Sequence, residues 1–219
     1  MMAAGRVNDE HDGHRLIRKC VRTIVRMLVL LAFRVSFEGL NNIPSDGSFI
    51  LVSNHTSMAD VAVIHTKFDR WLYWVAKKEL FQTPVIKYLI PKMGAIPVDR
   101  ERVDLTAARG IFSVLNSGRP VAMFPQGTRV RPEQVNSVMP KTGIAHFAVK
   151  TSSQILPVAI SGRFKLFGKI RIVVGEPFRL DADSKKKYQH EQLLELSILV
   201  MKRVYDLIGF EYNPGKGDV

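Results

Sequence analysis

A chain of 219 residues, 46% of them hydrophobic, is long enough for one sizeable domain with a short appendage. Its 32 Lys and Arg against 20 Asp and Glu leave a net charge of +12, an excess that points to nucleic acid, an anionic membrane or an acidic protein as partner. The single cysteine, Cys20, excludes an internal disulfide and fits a reducing cytoplasm; no zinc-type spacing of cysteine and histidine occurs.

Residues 1–14 are polar and are expected to form a disordered tail. Residues 15–35 form the appendage. Arg15, Arg18, Lys19, Arg22 and Arg26 recur at three- and four-residue steps and share one helical face, while Leu16, Ile17, Val21, Ile24, Val25 and Leu28 fill much of the rest. The uncharged run 27–33 is much shorter than the roughly 20 residues of a spanning helix, and no small-residue cleavage site follows it as in a signal peptide. The pattern predicts an amphipathic helix lying in an anionic membrane surface with its basic side toward lipid phosphates. An ordinary helix packed on the domain, its charges in water, is the other reading. Nucleic acid is set aside, because no motif with interleaved aromatic residues accompanies the charge.

Beyond residue 35 the pattern alternates. Strands are expected at 49–52, 72–76, 95–98, 121–124, 155–160 and 169–174, and helices at 57–67, 84–90, 104–116, 143–150 and 189–208. Such alternation predicts an α/β domain over 36–212, a mostly parallel central sheet flanked by helices, with a tail at 213–219. Ligands of such sheets sit at the carboxyl ends of strands, so the loops after Val52, Ala76, Val98 and Phe124 are the ones to inspect. They hold His55 and Asp60; Lys77, Lys78 and Glu79; Asp99 and Arg100; and Gln126, Gly127, Thr128 and Arg129.

His55 and Asp60 are five residues apart. Inside one regular helix that is about 140° off a common face, so the two meet only if His55 lies in the loop and Asp60 in the first helical turn. Ser57-x-x-Asp60 has the form of a capping box, which would start the helix near Ser57. A carboxylate on one ring nitrogen fixes the tautomer and leaves the other nitrogen as a base. Taken alone, the pair also fits a helix cap beside an ordinary loop histidine. Basic strand ends suit a phosphate, which a guanidinium grips in a planar fork, and Gly127 would let backbone approach a ligand; a single arginine there is otherwise a surface charge. His65, His146 and His190 fall on expected helices and read as core or surface residues.

Four stretches in register give the chain a resemblance to the glycerolipid acyltransferases, most closely the lysophosphatidic acid acyltransferases. Asn54, His55 and Asp60 match the family's Asn-His-x4-Asp; residues 94–100, ending Asp99-Arg100, match its Gly-x-Ile-x-x-Asp-Arg. Phe124-Pro125-Gln126-Gly127-Thr128-Arg129 matches Phe-Pro-Glu-Gly-Thr-Arg with one change, and Ile155-Leu156-Pro157-Val158 matches its apolar Pro-Val stretch. The likeness covers roughly residues 35–180. Its departure is Gln126 in place of glutamate, which keeps an acceptor, adds a donor and loses a charge.

The resemblance implies transfer of a fatty acyl group from acyl carrier protein or coenzyme A thioester to the free hydroxyl of lysophosphatidic acid. His55 would be the base and Asp60 its partner, with no metal or cofactor. Asn54, Lys77, Arg100, Gln126, Gly127, Thr128 and Arg129 would bind substrate, Lys77 at the developing oxyanion. It further implies a peripheral or monotopic enzyme on the cytoplasmic face of the membrane. Two alternatives remain: another acceptor such as a lyso-ornithine lipid, or a membrane lipid or acyl-carrier binder made non-catalytic by Gln126.

Overall fold

The structure, a computed structural model, describes residues 14–84, 86–100, 102 and 104–215. The expected tail 1–14 therefore lies outside the described residues except for His14, and so does the end of the expected tail 213–219. Residues 213–215 are held to the body: Asn213 N donates to Asn136 Oδ1 (2.9 Å) and Gly215 N to Asn136 O (3.2 Å).

β2 (Phe49–Ser53) is the spine of the sheet, buried along its whole length. Side chains alternate across a strand. Phe49 and Leu51 therefore enter one core and Ile50 and Val52 the other, and an apolar run buried on both faces is the mark of a parallel sheet covered by helices on each side. Each such side chain contributes about 1.5–3 kcal/mol relative to exposure.

The other strands are β1 (Phe33–Glu38), β3 (Tyr73–Lys77), β4 (Ile96–Val98), β5 (Val121–Met123), β6 (Gln154–Gly162) and β7 (Gly168–Val174). Their order across the sheet is β1-β7-β6-β2-β5-β3-β4. Every neighbouring pair is parallel except β6 and β7. The exception has a simple cause: only residues 163–167 join β6 to β7, too few for the crossover that a parallel pair needs. The expectation of a mostly parallel sheet flanked by helices holds.

The helices are α1 (Arg15–Ala32), α2 (Asp60–His65), α3 (Ile86–Lys92), α4 (Leu105–Asn116), α5 (Gly143–Thr151) and α6 (His190–Asp206). α4 begins where Asp104 accepts from Ala107 N (2.9 Å), and α6 begins with a capping box between Gln189 and Gln192. α4 and α6 bury Ile111, Val114, Leu115, Val200, Met201 and Val204 against Ile50 and Val52. α1 and α2 bury Val29, Val63 and Ile64 against Phe49 and Leu51.

Two expectations for the amino-terminal stretch are corrected. The helix stops at Ala32, and Phe33 to Val35 already belong to β1, paired in register with β7 from Phe33 opposite Gly168. The apolar run 27–33 reads on into the strand because helix end and buried strand start share a composition. Nor do the basic residues all share one outward face that could meet lipid phosphates. Arg18 is buried, donating from Nε to Lys92 O (2.9 Å) and from Nη1 to Tyr73 Oη (3.2 Å), with its guanidinium over the rings of Trp71 and Tyr73. Arg22 reaches Asp69 O (3.1 Å). What α1 turns outward, beside Arg15, Lys19 and Arg26, is apolar: Leu16, Ile24, Met27, Leu28, Leu30 and Leu31 are each at least 55% exposed. No helix among the described residues is long and apolar enough to cross a membrane.

Candidate active site

Because β2, β3, β4 and β5 run parallel, the loops after Ser53, Lys77, Val98 and Met123 emerge at one end of the sheet. His55 sits in the first of them and Asp60 is the first residue of α2. His55 Nδ1 lies 2.7 Å from Asp60 Oδ2. The same oxygen accepts from Thr56 N (2.6 Å) and Ser57 N (2.8 Å), and Oδ1 accepts from Thr56 Oγ1 (3.2 Å).

Only one arm of the expected capping box forms, the carboxylate reaching back to Ser57 N. Ser57 Oγ accepts from Ala59 N instead (3.2 Å), and the helix begins three residues later than expected. Asp60 is wholly buried while the His55 side chain keeps 13% exposure, so the carboxylate is shielded and the imidazole reaches the surface. These donors fix the direction in which the buried carboxylate points.

Two neighbours complete the imidazole's setting. Asn54, buried, donates from Nδ2 to Ile160 O (2.8 Å) and accepts at Oδ1 from Ile160 N (2.8 Å), which anchors the residue before the histidine to β6. Val130 N donates to His55 O (2.8 Å), tying the loop after β5 to the loop after β2.

Sequence reasoning assigned no role to the aromatic rings behind the histidine. Phe124 stacks on His55 with centroids 4.0 Å apart and planes 10° apart, and Trp74 stacks on Phe124 at 4.9 Å. The signal available was an aromatic residue in each of two apolar strands, Trp74 within β3 and Phe124 just past the carboxyl end of the neighbouring β5.

The expected substrate-binding residues divide into two groups. Arg100 is half-buried and donates from Nη1 to Gly127 O, which joins the strand ends after β4 and β5. Burial lowers the pKa of its guanidinium and Glu79 opposes that shift, yet an arginine so placed stays charged. Thr128 and Arg129 are exposed on the same rim, and Lys77 is half-exposed, 3.6 Å from Glu79. Gly127 N–H is already donated to Phe124 O (2.9 Å).

Asn54 and Gln126, by contrast, turn inward. Gln126 is buried; its Oε1 accepts from Tyr205 Oη (2.9 Å) and its Nε2 donates to Val138 O (3.2 Å). Both ends of the amide are used, so the glutamine is satisfied as a glutamine. Among the described residues no three His, Cys, Asp or Glu side chains gather as metal ligands would.

A shielded carboxylate thus holds a partly exposed imidazole, and arginines stand on the adjoining strand ends. The chain belongs to the Acyltransferase family, whose model matches residues 34–161 and so includes both His55 and Asp60. It is 29% identical over 187 residues to the 1-acyl-sn-glycerol-3-phosphate acyltransferase of Bacillus subtilis, a match spanning 82% of this chain and 92% of that protein. It is 31% identical over 166 residues to the enzyme of the same name from Streptococcus pneumoniae, spanning 73% of this chain and 60% of that one. The crystal structure of the 1-acyl-sn-glycerophosphate (LPA) acyltransferase PlsC from Thermotoga maritima has the same fold, with a TM-score of 0.63 and 29% identity over 88% of this chain and 82% of that chain.

Proposed function

We propose that this acyltransferase moves a fatty acyl group from an acyl thioester, on acyl carrier protein or coenzyme A, to the sn-2 hydroxyl of lysophosphatidic acid, giving phosphatidic acid. The observation that carries the reading is the 2.7 Å contact of His55 Nδ1 with the buried Asp60 carboxylate. With Nδ1 committed, Nε2 takes the hydroxyl proton as the oxygen attacks the thioester carbonyl. The thiolate then leaves and collects that proton from the imidazolium as a thiol. A positioned base contributes roughly 10²–10⁴-fold in rate. Asp60 holds the tautomer and stabilises the imidazolium. Arg100 and Arg129, with Thr128, hold the substrate phosphate, and Lys77 faces the oxyanion. The names of the relatives from Bacillus and Streptococcus support lysophosphatidate as acceptor.

The apolar outer stripe of α1 lies in an anionic membrane surface on the cytoplasmic side, flanked by Arg15, Lys19 and Arg26, where the lysolipid resides and the thioester arrives. The test of the reaction is thiol release by purified protein offered each donor with lysophosphatidic acid or lyso-ornithine lipid. Release that needs lysophosphatidic acid and disappears in His55→Ala is the expected result. Indifference to the acceptor removes the substrate, and an unaltered His55→Ala removes the mechanism.

A further inference from the structure

The turn between β6 and β7, residues 163–167, is more elaborate than a connection requires. Two glycines shape it: a Cβ on Gly162 would collide with Lys169 O, and one on Gly168 with Arg163 O. Gly168 N donates to Lys165 O and Phe167 N to Ala32 O, each at 2.7 Å, the latter fastening the tip to the end of α1. Phe164 turns inward and meets Phe33 edge-on at 5.5 Å. Leu166 and Phe167 turn out, 70% and 62% exposed. Phe167 does so at φ +60°, a left-handed conformation that is strained for a bulky residue. The ring is thus held outward at the expense of backbone strain.

Position points to a use. β6 runs parallel to β2, and Asn54 is bonded to Ile160, so the tip projects from the end of the sheet that carries His55. It adjoins the carboxyl end of the outward stripe of α1, at Leu30 and Leu31. Around it stand Arg163, Lys165 and Lys169, with no acidic residue from 163 to 169; Arg171, further along β7, is paired with Glu38. An apolar pair ringed by cations matches the layering of an anionic bilayer, acyl chains beneath phosphates.

We infer that the β6–β7 tip is a second membrane-insertion element, with Leu166 and Phe167 entering the bilayer beside α1 and seating the catalytic end of the sheet on lipid. The inference rests on the proposed membrane lipid substrate, and its test does not depend on turnover. Full-length protein is sedimented with vesicles of equal parts phosphatidylglycerol and phosphatidylcholine. Leu166→Ser with Phe167→Ser is expected to lower partitioning by roughly tenfold or more, given the apolar area withdrawn from lipid, and to leave turnover of a short-chain, water-dispersed lysolipid unchanged. Phe167→Gly separates docking from folding: glycine adopts φ +60° without strain, so its Tm is expected to equal or exceed that of the parent while partitioning still falls. Partitioning unchanged in both variants overturns the inference. So does a lipid-free dimer that both variants dissolve, since the occupant would then be a second copy of the chain. Vesicle binding lost in the variants of a protein that transfers no acyl group would uphold the docking surface and defeat the proposed reaction.

Discussion

Asn54 and Ile160 satisfy each other completely: one side-chain amide donates to the Ile160 carbonyl and accepts from the Ile160 N–H, both at 2.8 Å. The residue preceding His55 is thereby fastened to a buried strand rather than to its own loop. Asn54→Ala leaves two buried backbone groups unpaired, so a loss on the order of 3 kcal/mol is expected in urea unfolding, together with reduced kcat. A variant of parental stability would show that water replaces the amide without cost.

Asp60→Asn keeps the shape of the site and removes the charge that steadies an imidazolium. The expectation is a fall in kcat of roughly 10²–10⁴-fold with a much smaller change in Tm. Asp60→Ala adds a structural cost, because Thr56 N and Ser57 N also lose their acceptor. If Asp60→Asn lowered only Tm, the carboxylate would be a cap and nothing more.

The ring of Phe124 lies face to face with His55. A protonated imidazole over that face gains about 1–2 kcal/mol, so Phe124→Leu should lower kcat by roughly 5- to 30-fold while KM for the acceptor stays near its parental value. Phe124→Tyr, which retains the face, should recover most of the rate. A loss expressed wholly in KM would place the ring against substrate instead.

Gln126→Glu restores the residue usual in the family and is nonetheless expected to be harmful here. Burial raises the pKa of Tyr205 to about 12, so its hydroxyl remains a donor to position 126 at all working pH values. The other end of the amide faces Val138 O, which also accepts from Tyr212 Oη (3.0 Å). A carboxylate at that end meets a carbonyl oxygen with no donor between them, and a loss of about 2 kcal/mol or more in stability follows. Thermal unfolding of the two proteins at neutral pH decides it.

His65 supplies a pH dependence. Burial, with the positive Arg22 nearby, lowers its pKa from 6.5 to about 4. A histidine depressed in the folded state binds its proton more readily when unfolded, so stability is complete above pH 6.5 and declines as pH falls from 6.5 toward 4. The loss is at most on the order of 3–4 kcal/mol. His65→Phe should flatten the stability profile in that window, and an unchanged slope would assign the acid sensitivity to other groups.

The positions of β2, β5 and β6 follow from short apolar runs, and helical geometry applied to a five-residue gap gives the condition under which His55 can meet Asp60, one in the loop and the other in the first helical turn. Both were legible because the physics is local. Where α1 ends was not, since Met27 to Phe33 is uniformly apolar and only the pairing of β1 with distant β7 decides which residues leave the helix. The inward turn of Gln126 was equally hidden: its partners, Val138 and Tyr205, lie 12 and 79 positions away. Arg18 illustrates the same limit, because periodicity places it on a basic face and only the fold supplies the rings of Trp71 and Tyr73 that enclose it.

That enclosure makes α1 a wall of the domain rather than a tether. With Arg18 clasped between two aromatic rings and the Lys92 carbonyl, and Val29 sunk into the inner core, the helix has no hinge about which to swing. The distance between α1 and the crevice that holds His55 is then built in at folding. A chain trimmed to begin at Phe33 would lose a wall and part of its interior together.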